Sequence, residues 1–260
     1  MAKPLMIEMP DGKSMPILYE DRSAIAVDKP SGWVVSAEWQ TNPDTNLQLF
    51  LQAGVFNRDF WARSRNLKFI RFVHRLDSMT SGVLLLAKSQ GAIGPLSRIF
   101  ESGQAVKEYL AVVDGIPEKD AWSVEVRMEK DPDNPRQMMV TRSSEGKESY
   151  TEFRLLHSVD GRSLIHARPF SGRTHQIRIH LAHSGFPITG DNLYNKQYMA
   201  ARGRSDKSSR FPLGLRAIRL AYKNPFEKKP VRIQASSASW VKSFHFPEHT
   251  PIPQWTNLFD

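Results

Sequence analysis

Two stretches carry side chains whose types and surroundings could do chemistry. In HRLDSMTSGVLLLAK, His74 to Lys88, Asp77 stands just before the turn residues Thr80, Ser81 and Gly82 and the apolar run Val83 to Ala87. A carboxylate on a loop anchored to a rigid strand is a candidate nucleophile or base, although an Asp followed by Ser and Thr also makes ordinary turns. In FSGRTHQIRIHLAHSGFPITGD, Phe170 to Asp191, Arg178 lies between Ile177 and Ile179. An arginine in apolar surroundings needs an anionic partner, and a carboxylate in a cleft needs a cation to stay ionised, because burial favours its neutral form. Asp191, after Thr189 and Gly190, reads as a turn former. His175, His180 and His183 raise a metal site, but no neighbouring carboxylate or cysteine completes a tidy ligand set. Hydrogen-bonding or packing histidines are therefore expected, no metal or other cofactor is expected, and a metal-dependent hydrolase is the poorer enzyme alternative.

The elements that must hold these residues follow from local patterns. Val83 to Ala87 suits a strand buried on both faces. A helix is expected from Thr45, where Leu47, Leu49, Phe50, Leu51 and Val55 recur at helical spacing. Another is expected after Ser89, with Ile93, Leu96, Ile99 and Phe100 on one face and Gly103 at its end. The stretch from Ile177 to Leu181 alternates like a strand and is also spaced like a helix, so periodicity leaves both open. ILYEDRSAIAVDKPSG opens with strand alternation and stops at the turn Lys29-Pro30-Ser31-Gly32. YLAVVDG, SYTEFRLLH, RSLIHARP and KPVRIQAS are β-rich, and residues 127–148 read as a long loop or hairpin. Strands outnumber helices without alternating with them, so the fold class is α+β, with a mixed, largely antiparallel sheet flanked by helices and loops. Residues 1–16, with Pro4, Pro10 and Pro16, are expected to be an N-terminal arm, 17–243 one catalytic domain and 244–260 a C-terminal tail.

Composition removes whole classes. The chain has 260 residues, 40% apolar and 24% charged, a globular balance, and no cysteine. Disulfide frameworks, thiolate metal sites and cysteine nucleophiles are excluded. The longest wholly apolar run, Val83 to Ala87, is far short of the roughly 20 residues of a spanning helix, and the start lacks a signal-peptide core. A cytoplasmic location with no membrane partner is expected.

HRLDSMTSGVLLLAK resembles the HRLDxxTSG signature of the RluA family of RNA pseudouridine synthases, and GRTHQIRIHLAHSGFPITGD resembles that family's second signature. ILYEDRSAIAVDKPSG, VKEYLAVVDG and LRAIRLAYKNPFEKKPVRIQA agree with it in order, so the likeness spans roughly Ile17 to Trp240. The resemblance implies the pseudouridine synthase fold with a central catalytic cleft. It implies an isomerase that detaches uracil from C1′ of a uridine, turns it over and rejoins it through C5, with no cofactor. Asp77 matches the family's essential aspartate, Tyr109 the tyrosine that packs on the target base and Arg178 the basic residue paired with the aspartate. Arg75 matches the arginine that can occupy the place of the flipped base, and Lys107 is a candidate phosphate contact. Attack on C1′, addition to C6 and proton removal from C2′ are all compatible with Asp77. The chain departs from the family pattern at Ser78, Met79, Asn195 and Arg216. Many relatives carry an N-terminal S4 domain, which the residues before Ile17 are too few to encode, so RNA selection is expected to rest on the catalytic unit, as a monomer.

The net charge of +9 is segregated. Residues 196–232 hold eleven Lys and Arg against Asp206 and Glu227, and residues 58–75 hold six against Asp59. Phe60, Trp61, Phe69 and Phe72 are interleaved in the second run, as a groove for a polyanion with stacking side chains requires. Arg71, Arg202, Arg204, Lys207, Arg210 and Arg216 are the candidate RNA-backbone contacts. Structured RNA, ribosomal or transfer, is the expected partner and DNA is not. The alternative from another class is an RNA-binding or ribosome-assembly protein that keeps the fold without the reaction.

Overall fold

The structure, a computed structural model, describes residues 2–35, 42, 44–134, 137–199 and 212–254. The chain forms two compact units, Met1–Ala105 with Arg219–Ala235 and Val106–Ile218 with Ser236–Asp260.

The first unit contains β1 (Met6–Glu8), β2 (Ser14–Glu20), β3 (Ala24–Lys29), α1 (Leu47–Phe56), α2 (Phe60–Arg63), β4 (Arg71–Phe72), β5 (Ser81–Ala87) and α3 (Gln90–Glu101). β1, β2, β3 and β5 pair antiparallel in that order, and β4 also pairs with β5. All seven residues of β5 are buried, which is why its sequence is an unbroken apolar run rather than an alternation. Val83, Leu85 and Ala87 share a core with Ala24, Ala26, Leu96, Ile99, Leu220 and Tyr222. Burial of Val83, Leu84, Leu85 and Leu86 contributes on the order of 8 kcal/mol, so the loop leading into β5 hangs from one of the firmest parts of the unit. α1 begins two residues after Thr45, because Asn46 caps it by accepting from Gln48 N and Leu49 N. α3 starts after Ser89 as its spacing predicts, and Gly103 beyond its end takes φ +73°. The stretch read as a loose arm is paired: Met6 lies opposite Pro16, and Ile7 and Met15 are both 1% exposed. Its prolines obscured a hairpin because Pro16 sits at a strand position that sequence rules demote.

The second unit contains β6 (Val106–Asp114), β7 (Ala121–Lys130), β8 (Met138–Thr141), β9 (Lys147–Val159), β10 (Arg162–Pro169), α4 (Gln176–His183), α5 (Lys196–Met199) and α6 (Ala238–Ser243). Its strands pair antiparallel in the order β6, β10, β9, β7, β8. Residues 127–148 are thus a hairpin between β7 and β8 and the turn into β9. The ambiguous stretch around Ile177 is helical: Gln176, Ile177, Arg178, Ile179, His180 and Leu181 are all buried, so the helix has almost no polar face to show a period. The expected C-terminal tail begins inside the core, where Phe244 and Phe246 pack with Leu110, Val112 and Leu164. β11 (Leu215–Lys223) gives its first four residues to this unit and the rest to the other, where it pairs antiparallel with β12 (Pro230–Gln234). The architecture is α+β.

Just before β11, the backbone closes tightly. Val112 N donates to Gly214 O, Gly214 N to Thr189 O, and Thr189 N to Val112 O. A Cβ at position 214 would fall 2.9 Å from Val112 O and 3.0 Å from Val112 Cβ. Gly214→Ala should therefore destabilise the protein by about 1–3 kcal/mol in urea denaturation, and an unchanged midpoint would show that the strands give way freely.

Candidate active site

Asp77 sits half-buried on the loop between β4 and β5, with Arg75 exposed beside it. The loop closes on itself through Thr80 N, which donates to Asp77 O. It is held from outside by the turn after β3. Lys29, fully buried, donates from Nζ to the carbonyls of Pro30 (2.9 Å), Ser78 (2.8 Å) and Thr80 (2.9 Å). Gly32 N also donates to Ser78 O, and Ser31 Oγ to Met79 O. Gly32 reaches that position at φ +93°, a backbone state costly for other residues. Burial pushes the Lys29 ammonium down to about 7, and the charge of Asp77 raises it. Three donated bonds need all three ammonium protons, so the geometry is that of the cation. The positive charge thus lies under the loop that carries the carboxylate. On the other side, His74 stacks on Phe100, ring centroids 4.2 Å apart, and its Nε2 accepts from Leu85 N. His74 before Asp77 is thus tied to β5, and Ser78, Met79 and Thr80 after it to the end of β3 and the turn beyond.

Tyr109 and Lys107 lie two residues apart on β6 and so share one face of it. Tyr109 is half-buried, and Lys107 donates from Nζ to Ser171 O at 2.8 Å. Burial, helped by the charge of Arg173, pushes Lys107 down to about 8. Glu108, on the opposite face, pairs with His166 at 3.3 Å. Arg178, on α4, is 5% exposed. Its Nε donates to Asp191 Oδ2 and its Nη2 to Asp191 Oδ1, both at 2.8 Å, the bidentate geometry that suits a buried guanidinium. Asp191 is also the turn former its neighbours implied, since Oδ1 accepts from Leu193 N and Tyr194 N. The Tyr194 ring lies 5.2 Å from the guanidinium carbon, and its hydroxyl meets His175 Nδ1 at 2.8 Å and accepts from Met138 N. His180 Nε2 meets Ser149 Oγ at 2.9 Å, and burial pushes its imidazole down to about 4. These histidines serve internal hydrogen bonds.

The proposed backbone contacts divide. Arg71 is exposed on β4. Arg216 is 8% exposed and donates from Nε and Nη2 to Ser236 O, which leaves it little surface for a phosphate. Arg202, Arg204, Lys207 and Arg210 lie outside the described residues. Two contributors escaped the sequence reading. In the sequence Lys29 shows only as part of a turn, although a lysine closing a strand of buried residues is a signal in itself, and Asp191 shows only as a turn former.

The family model for RNA pseudouridylate synthase matches residues 23–183, which contain the first signature and the second as far as His183. An uncharacterized RNA pseudouridine synthase of Zymomonas mobilis is 32% identical over 220 residues, covering 84% of this chain and 92% of its own. The ribosomal large subunit pseudouridine synthase C of Yersinia pestis is 32% identical over 219 residues, covering 84% of this chain, which spans only 64% of that protein. Among solved structures, human RNA pseudouridylate synthase domain containing 1 superposes with a TM-score of 0.64 at 25% identity, over 85% of this chain and 82% of its own. The fold and the matched residues are those of an RNA pseudouridine synthase, an isomerase that acts on RNA. The chain belongs to the RNA pseudouridylate synthase family.

Two variants test the supports. Lys29→Met leaves one buried and two part-buried carbonyls without their donor and should cost about 3 kcal/mol in urea denaturation, with activity reduced even where the variant is folded; wild-type stability would contradict the role of the ammonium. Asp191→Asn should cost about 3–5 kcal/mol, because it removes the charged partner of a bidentate buried ion pair, and a loss under 1 kcal/mol would show that other groups hold Arg178.

Proposed function

We propose that this chain converts specific uridines of structured RNA to pseudouridine through Asp77, and that RNA of the large ribosomal subunit is its first candidate substrate. The observation that carries the reading is the Asp77 loop: a half-buried carboxylate on a turn braced by the Lys29 ammonium and by β5. A binding protein would need no such bracing of one acid. The name of the Yersinia pestis relative, a ribosomal large subunit synthase, supports the choice of RNA, and transfer RNA is the second candidate.

The reaction is an isomerisation. The N1–C1′ bond breaks, the C5–C1′ bond forms, the C5 proton leaves to solvent and N1 takes one up. Nothing is oxidised or reduced, which agrees with a mechanism run by acid–base and nucleophilic side chains. A uridine in folded RNA hides C1′ and C5, so the base must leave its stack at a cost of a few kcal/mol. Tyr109 offers a ring on which the extruded base packs, worth about 1–3 kcal/mol, and Arg75, exposed beside Asp77, is free of the core and able to fill the gap in the RNA. Asp77 supplies the carboxylate for attack on C1′, addition to C6 or proton removal from C2′. Arg178, fixed by Asp191, is the buried cation of the second signature.

Release of tritium from C5-labelled uridine in RNA follows the reaction directly. Asp77→Asn should abolish release while leaving RNA affinity within a few-fold of wild type. Full activity of that variant would remove Asp77 from the chemistry.

A further inference from the structure

A groove of 720 Å³ opens beside the C-terminal end of α1, within the first unit. Its lining includes Phe56, Arg58, Arg63, Asn66, Lys68 and Phe69 and no acidic residue. Phe56 is 87% exposed and makes no ring contact among the described residues. Arg58, Arg63 and Lys68 are exposed, and none forms an ion pair among the described residues. The fourth cation of this stretch, Arg65, behaves differently: it is buried and donates to Glu20, Trp61 O and Pro4 O. The four cations of residues 58–68 thus separate into one structural arginine and three kept at the rim of a cavity.

Arg58 gives a sharper sign. It follows the C-cap Asn57 of α1 and takes φ +58°, a left-handed position where glycine is strongly favoured. Arg58 is one of six non-glycine residues among the described ones with positive φ, and Asn66, another, lines the same groove.

We propose that this groove is a second RNA site, which takes one or two unpaired nucleotides of the substrate strand outside the target uridine. This rests on the RNA reading above. A volume of 720 Å³ lies within the roughly 300–1,000 Å³ of sites for molecules of that size. Phe56 supplies a free aromatic face for an unpaired base, which a duplex would not present. Arg58, Arg63 and Lys68 face the phosphates, and Asn66 carries both a donor and an acceptor for a base edge. An acidic protein surface would satisfy the three cations but would leave the exposed ring without a role.

Binding of a fluorescein-labelled twelve-residue oligouridine, measured by anisotropy across a salt series, tests the site. Phe56→Ala should weaken binding about tenfold and Phe56→Trp should retain it. The Arg63→Gln, Lys68→Gln double variant should lower the salt slope by about 1.4, from ~0.7 per phosphate contact on a single strand. Arg58→Gly should weaken binding while melting at or above the wild-type temperature, which separates a ligand role from a folding role. With 4-thiouridine in the oligonucleotide, crosslinks should map to the peptide containing Phe56. Wild-type affinity and slope in these folded variants would overturn the proposal. So would loss of binding to polyaspartate with oligouridine binding intact, which would make the groove an acidic-protein site. Tritium release in the wild type distinguishes the two readings: groove-dependent oligouridine binding without tritium release refutes the reaction and keeps the site, whereas tritium release with unaltered binding in the variants refutes the site alone.

Discussion

The ammonium of Lys29 is the interaction on which the rest of the candidate site depends. It has no exposed surface, yet it spends all three of its protons on carbonyls, two of them in the loop that follows Asp77. Those partners are 49 and 51 residues away in the chain. Burying a charge is expensive unless its bonds are complete, so the cation and the loop conformation require each other. The charge of Asp77 acts back on this ammonium and raises its pKa, which links the folding contact to the carboxylate on the same loop. β5 then gives the loop its stiffness, because moving it would expose an unbroken apolar strand.

The second unit repeats the principle with the charges reversed in role. There a buried carboxylate, Asp191, fixes a buried guanidinium, Arg178, and uses its remaining lone pairs on two backbone N–H groups. In both units one ion is locked inside and completed by hydrogen bonds, and a chemically useful group is held in place as a result. Charge in this protein therefore has two distinct uses. Lys29, Arg65, Arg178 and Arg216 are internal fasteners, whereas Arg58, Arg63 and Lys68 remain at the surface, so net charge alone overstates the cations available to a polyanion.

What could be read from the sequence followed distance along the chain. β5 and α3 were legible because burial on both faces and a one-sided apolar stripe are local patterns. The loop with Asp77 was legible because its signature is contiguous. The helix carrying Arg178 was not decidable by period, since it is buried nearly all round. The first hairpin was hidden by its prolines, and the packing of Phe244 and Phe246 by their position near the end of the chain. Lys29 and Asp191 escaped for a deeper reason: each acts through partners distant in sequence, which no window on residue type reveals.

The central claim is that the acid on the braced loop makes pseudouridine in cellular RNA. Transcript-wide mapping of pseudouridine in cells with and without this protein tests it most directly. The account predicts that one or a few defined positions, first sought in large-subunit ribosomal RNA, lose the modification when the protein is absent and regain it when the protein is restored. Identical maps in the two cell populations, across ribosomal and transfer RNA alike, would contradict it.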